Sequence, residues 1–204
     1  MNSATLASAS APALEAAEDR PARLRRIRRL SAVMTWGTTG LAVAMGLIVT
    51  LAVIWLAWPA LFPQLADELF EIAETERNLL DIPFSQRLGL AMLGAVGGGL
   101  ITLILVRLRQ IFAGFQRMEF FAARTLGKVI ALGRTLLVFG VFDIFHDPLG
   151  TLLMTLDLPE GQRTMELSLD GGEIFVLIFG AIMLTFGWIL REAALTHEEN
   201  QQFI

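Results

Sequence analysis

Two stretches of this chain, 32–58 (AVMTWGTTGLAVAMGLIVTLAVIWLAW) and 88–106 (LGLAMLGAVGGGLITLILV), carry no charged residue. A helix needs about 20 mostly apolar residues, each rising 1.5 Å, to cross roughly 30 Å of hydrocarbon. A third stretch, 174–190 (IFVLIFGAIMLTFGWIL), is also uncharged and begins just after Glu173. A fourth, 126–146 (LGKVIALGRTLLVFGVFDIFH), is apolar but interrupted by Lys128, Arg134 and Asp143. In lipid every backbone N–H and C=O must be satisfied internally, which leaves the α-helix for runs of this length. The sequence therefore predicts an all-α polytopic membrane protein with four transmembrane helices.

Composition sharpens that reading. The chain is 54% apolar and 18% charged, against roughly 45–50% and about 25% in soluble domains. Its mean hydropathy is +0.60. The excess is modest in the total and concentrated in the four runs. Low hydrophobicity and high net charge mark disorder, so disorder is excluded for most of the chain. With no cysteine, a disulfide scaffold and a Cys-ligated zinc or iron–sulfur site are excluded. Residues 1–19 are rich in Ala and Ser, and 20–29 (RPARLRRIRR) hold six arginines. Residues 1–28 thus read as a disordered tail and an Arg-rich cytoplasmic flank, and 29–204 as the membrane domain. The first run far exceeds the 7–15 residues of a signal-peptide core, and no small-x-small site follows Trp58, so it reads as a retained anchor.

Lys and Arg near helix ends set orientation. Of the sixteen basic residues, twelve lie in the N-terminal flank, the 107–128 segment and at Arg191. Arg77, Arg87 and Arg163 lie on the other side, and Arg134 lies within the third run. That asymmetry places both termini and the 107–125 segment in the cytoplasm, and 59–87 and 147–172 outside. The expected location is the cell inner membrane, spanned several times. Trp55 and Trp58 fall at the outer end of the first run, and Trp36 and Trp188 near the inner boundary, the depth that amphipathic rings prefer.

The outer loops predict a small cap. Leu65, Leu69 and Ile72 recur at spacings of four and three, one stripe of a short amphipathic helix. Met154, Leu156 and Leu158, then Met165, Leu167 and Leu169, alternate with polar residues on either side of Pro159-Glu160-Gly161, the signal of a β-hairpin. On the inner side, Ile111, Phe112, Phe115 and Met118 can share a helical face, which continues the second run past the membrane. Phe120 and Phe121 mark the turn that returns the chain.

The run IFAGFQRMEFFAARTLGKVIALGRTLL (111–137) and the ending REAALTHEENQQFI (191–204) resemble the DUF2975 family, small bacterial four-helix membrane proteins without an assigned biochemical activity. The likeness extends over roughly 40–204 and rests on two features. One is the Phe-rich turn before an Arg-Thr-Leu-Gly helix; the other is an Ala-x-x-Leu-x-x-Glu-Glu-Asn close. The resemblance implies no catalytic residues. It implies a membrane partner of a cytoplasmic regulatory protein, since some relatives are encoded beside helix-turn-helix regulators.

Charges inside the membrane are functional candidates by default. Arg134 lies about 12 Å along the third run, at 1.5 Å per residue. A mid-bilayer charge costs roughly 2.5–3.5 kcal/mol on insertion scales. Asp143 is about 13.5 Å further along the same helix, out of reach of Arg134, so snorkelling or carbonyl contacts are expected for the arginine. Asp143, His146 and Asp147 have i, i+3, i+4 spacing, which places all three on one helix face as a proton relay or ligand set. Two carboxylates and one imidazole fall short of a zinc set, and Pro148 disfavours the helical state at Asp147. The expectation is a polar boundary group bonded to loop backbone.

Gly94 and Gly98 form a GxxxG pair, read first as packing within the chain and second as a homodimer face. Gly133/Gly140 and Gly180/Gly187 repeat at seven-residue spacing and read the same way. No Ser/His/Asp order, HExxH, Walker or dinucleotide fingerprint occurs. The arginine run abuts the first helix, so it reads as a topogenic signal that meets anionic lipid rather than nucleic acid. The expected function is non-enzymatic, without cofactor or metal: an interaction, regulatory or sensing protein with a cytoplasmic partner. The alternative is a small transporter or proton-coupled module built on Arg134, Asp143 and His146.

Overall fold

The computed structural model describes the backbone of residues 20–61, 71–72, 75–76, 79–119, 122–159, 163, 165 and 169–202. Side chains are described for 24–60, 80–119, 122–159, 163, 165 and 169–196. Four long helices dominate: α1 (Arg20–Ala57), α2 (Phe84–Gln116), α3 (Ala123–Thr155) and α4 (Gly171–Gln202). Each contains a segment long and apolar enough to cross a membrane: Leu24–Ala57, Phe84–Gln116, Ala123–Thr155 and Gly171–Thr196. The protein is thus a multi-pass helical protein of membrane-spanning dimensions. The arginine flank proves to be the first turns of α1.

These helices hide little of their apolar surface from the surroundings. Of the most apolar stretch of α1 only 6% is buried inside the protein, and of α3, the best covered, 33%. Leu47, Leu51 and Phe175 are each at least 60% exposed. Soluble monomers rarely leave more than a few hundred Å² of contiguous apolar surface uncovered. Here the uncovered surface runs the length of each helix, so hydrocarbon is its natural solvent.

Successive helices run antiparallel. α1 is seated on α2, α2 on α3, and α3 on α4, while the other helix pairs barely touch. The arrangement is a row of hairpins rather than a closed ring. In the half that holds the end of α2 and the start of α3, buried Ile111, Leu132 and Leu136 form a core against Leu108, Val129 and Met183.

Glycines set the interhelical distances, because hydrocarbon gives no hydrophobic drive to helix association and close packing must supply it. A Cβ added at Gly133 would lie 2.6 Å from the backbone nitrogen of Leu184, and one at Gly180 3.1 Å from that of Leu137. Gly187 presses on Ile130, and Gly140 on Leu177. The seven-residue repeat therefore lines the α3–α4 seam. Gly98 admits the Val49 side chain of α1, whereas Gly94 meets nothing within 4 Å, so the GxxxG pair does not act as one unit.

The turn after α2 starts earlier than the phenylalanines suggest. The Glu119 N–H bonds the Gly114 carbonyl at 3.1 Å, and Met118 takes a positive φ of 61°. This is a helix stop in which glycine is usual. Phe120 and Phe121 lie outside the described residues.

The cap departs from expectation. Met154 and Thr155 are the last residues of α3, and Leu156 and Asp157 form a turn, so the first strand of the predicted hairpin is helical instead. Leu149, Leu152, Leu153 and Leu156 also satisfy helical spacing, and that periodicity prevails. Helix α3 runs through Pro148, with Asp147 inside it, which corrects the expectation that the helix ends there. Thr151 donates back to the carbonyls of Asp147 (3.0 Å) and Pro148 (3.1 Å) within the continuing helix. Met165 and Leu169 have no strand conformation, and Leu167 lies outside the described residues. The β pairing that is described lies elsewhere, between β1 (Glu71–Ile72) and β2 (Thr75–Glu76). Ile72 is therefore in a strand rather than in the predicted amphipathic helix; Leu65 and Leu69 lie outside the described residues.

Substitution at the α3–α4 seam tests this account. Gly133→Leu forces the two backbones apart and is expected to cost about 1–3 kcal/mol or more. Gly94→Ala, which enters open space, is expected to change stability by less than about 0.5 kcal/mol. Reversible unfolding in detergent, followed by circular dichroism, measures both.

Candidate functional site

Polar side chains gather at two levels of the helix row. At the level of the chain ends, Ser31, Thr35 and Thr39 form an i, i+4, i+8 stripe on α1. The Gln116 amide donates to the Ser31 carbonyl (3.0 Å) and to the Thr35 hydroxyl (2.8 Å). Arg109 Nε donates to the Thr39 hydroxyl at 2.8 Å. Lys128 of α3 donates to the Gln110 carbonyl at 3.2 Å, joining α3 to α2. This zipper was not read from the sequence, although the Ser/Thr spacing of four was visible there.

At the opposite level, the Gln86 amide ties α2 to the end of α3. In the orientation that satisfies both of its ends, its nitrogen donates to the Leu153 carbonyl (3.1 Å) and the Asp157 carboxylate (3.0 Å), and its oxygen accepts from the Asp157 N–H (3.1 Å). Asp170 caps α4, accepting from the Gly172 N–H (2.6 Å) and the Glu173 N–H (3.3 Å). Glu173 is buried at 8% exposure, and its Oε2 has no hydrogen-bond partner among the described residues.

Between these levels α1, α2 and α3 line a cavity of about 270 Å³ that is open on one side to the surroundings. Glycine makes the space: Gly94, Gly97 and Gly98 form its α2 wall, Val49 and its neighbours the α1 wall, and Phe139 and Phe142 much of the α3 wall. Asp143 and His146 are the polar side chains that line it. The His146 ring lies 5.7 Å from that of Phe142, and its Nδ1 is 3.1 Å from Asp147 Oδ1. Asp143 makes no hydrogen bond or ion pair among the described residues.

The four polar residues singled out in the third run therefore separate. Asp143 and His146 share the cavity, and Asp147 holds His146 from the adjacent position with its own side chain 67% exposed. Arg134 points away from the protein, with no partner among the described residues. Among those residues no group of three acidic or histidine side chains is arranged to hold a metal ion.

Interhelical contacts also fix relative depth. The Gly98–Val49, Lys128–Gln110 and Gly187–Ile130 contacts put Trp36 and Trp188 at nearly one level, and Trp55 and Trp58 near the level of Asp147 and Gly150. From Trp36 to Trp55 the helix rises about 29 Å, close to the hydrocarbon thickness of a bilayer. Trp36, Trp58 and Trp188 are all exposed.

Gln116→Leu removes two interhelical bonds and is expected to lower stability by about 1 kcal/mol. Arg134→Leu is expected to leave unfolding within about 0.5 kcal/mol of the parent while easing insertion of α3 by roughly 2.5 kcal/mol or more. Unfolding in detergent and a translocon insertion assay separate the two effects. No protein-family model, curated protein or solved structure matches this chain.

Proposed function

We propose that this chain is a non-enzymatic sensing or regulatory protein of the cell inner membrane, with both termini in the cytoplasm and a cytoplasmic protein as its partner. One observation carries the reading: α1 and α4 both continue as helix beyond their apolar runs at the same end of the molecule. α1 begins at Arg20, and α4 extends to Gln202, about 18 Å beyond Leu190 at 1.5 Å per residue. Those extensions are basic on α1 and carry Glu192, Glu198 and Glu199 on α4. Two helical projections of unlike charge at one end offer a partner a preformed surface. The excess of Arg at that end supports its placement in the cytoplasm, and the tryptophan levels support the bilayer position. The resemblance to DUF2975, a family without assigned activity, agrees with a regulatory role.

The second reading, a small transporter or proton-coupled module, is favoured by the cavity, which brings Asp143 and His146 together. Arg134 gives it no support, because it faces outward at another level.

Reporter fusions test the orientation. Green fluorescent protein after Ile204 is expected to fluoresce, and alkaline phosphatase within 62–70 to be active; the reverse pattern overturns the assignment. In-cell crosslinking of the full chain is expected to capture a soluble protein that a chain ending at Leu190 loses. Capture of none, or equal capture by both chains, removes the partner.

A further inference from the structure

Asp143 sits in a stretch where an isolated carboxylate is costly, since mid-membrane charges are retained where they pair or line a cavity. It lines a cavity and has no hydrogen bond or ion pair among the described residues. Depth rules out the usual escape. By the interhelical register it lies about 5 Å inside the level of Trp55, and its side chain is too short to reach the boundary as Lys or Arg would.

The second polar group of the cavity has a defined role. A carboxylate only accepts hydrogen bonds, so the 3.1 Å contact between His146 Nδ1 and Asp147 Oδ1 assigns the proton to Nδ1. The Cδ2 edge, which adjoins Nε2, faces the Gly97 wall of the cavity. The Asp143 carboxylate presents acceptors to the space that the His146 ring edge also borders. Among the described residues the charges acting on Asp143 are His146, Asp147 and Asp170, two of them further carboxylates. The remaining walls are glycine, aliphatic and phenylalanine. The missing complement is a group with several N–H donors and a positive charge, attached to an apolar body.

We infer that this cavity binds a small lipophilic amine, with its ammonium group at the Asp143 carboxylate and its hydrocarbon along Gly94, Gly97 and Val49. The volume of about 270 Å³, open on one side, admits a short alkyl amine. This deepens the sensing reading by naming the class of molecule sensed, and it requires neither the assigned sidedness nor the cytoplasmic partner.

The test uses the full chain in phosphatidylcholine nanodiscs with two photoreactive probes, a diazirine-bearing octylamine and the matching octanol. Both are supplied at equal membrane concentration, calibrated on empty discs. After illumination, peptide mass spectrometry locates the label. The amine is expected to label 45–56 and 139–146 about tenfold or more over the alcohol, the lower range of one charge-assisted hydrogen bond. Asp143→Asn is expected to bring the amine down to the alcohol level. Gly94→Leu, which fills the cavity from a position with open space, is expected to remove both labels while elution and circular dichroism stay unchanged. Equal labelling of the parent by both probes indicates an apolar crevice that an acyl chain would fill, and overturns the inference. So does amine labelling that survives Asp143→Asn. Should that variant fail to fold, labelling that survives Gly94→Leu is decisive against it. The fusion and crosslinking results do not bear on these outcomes, so the two readings fail separately.

Discussion

The solvation of α1 governs the rest of the structure. Only 6% of its most apolar stretch is covered by the protein, and the surface left over is unfavourable in water at any plausible cost per area. Placed in hydrocarbon, the same surface costs nothing, but it also ceases to drive helices together. What holds α1 to α2 must then be packing and polar contacts, and those are what the structure contains: Val49 against Gly98 near mid-helix, and the Ser31–Thr35–Thr39 stripe bonded to Gln116 and Arg109 at one end. The polar ties sit toward the chain ends, where long side chains remain near headgroups and need not cross hydrocarbon.

The same logic separates the tight seam from the open one. Along α3–α4, Gly133, Gly180 and Gly187 bring the helices into backbone contact, and no side chain can intervene there without displacing a helix. Between α1 and α3 no comparable contact forms, so α2 alone bridges them. Because α2 offers Gly94, Gly97 and Gly98 on that side, the bridge is hollow and the cavity follows. A closed four-helix ring would fill this space with side chains from a facing helix; a row of hairpins leaves it.

The four membrane-length helices were legible because their signal is a sum over some twenty residues, which single positions cannot overturn. Their ends were not. Helix α3 continues nine residues past the predicted limit at His146: residues 154–158 alternate, but helical spacing continues through Leu156, and the Gln86 contacts at Leu153 and Asp157 hold the helical form. Pro148 misled as well, because membrane helices tolerate proline in their interior more readily than water-soluble ones. The grouping of Asp143 with His146 could be read from i, i+3 spacing, since it depends on one helix alone. The hollow they face could not, because it depends on which side of α2 carries glycine and on where α1 lies.

Arg134 and Asp143 occupy one helix, and each carries a charge into the apolar zone, yet the structure treats them oppositely. Arg134 lies about 8 Å inside the level of Trp36 and Trp188, within reach of the boundary for a long flexible stem, and it faces outward with no partner among the described residues. Its charge demands nothing of neighbouring helices. Asp143 has two side-chain bonds and no such reach. A carboxylate at its level must be met locally, by a proton, by water or by a cation brought in, and the space in front of it is the cavity between α1, α2 and α3. The contrast separates a charge that marks depth from a charge that defines a site. Side-chain length and direction make that distinction, where hydropathy treats the two residues alike.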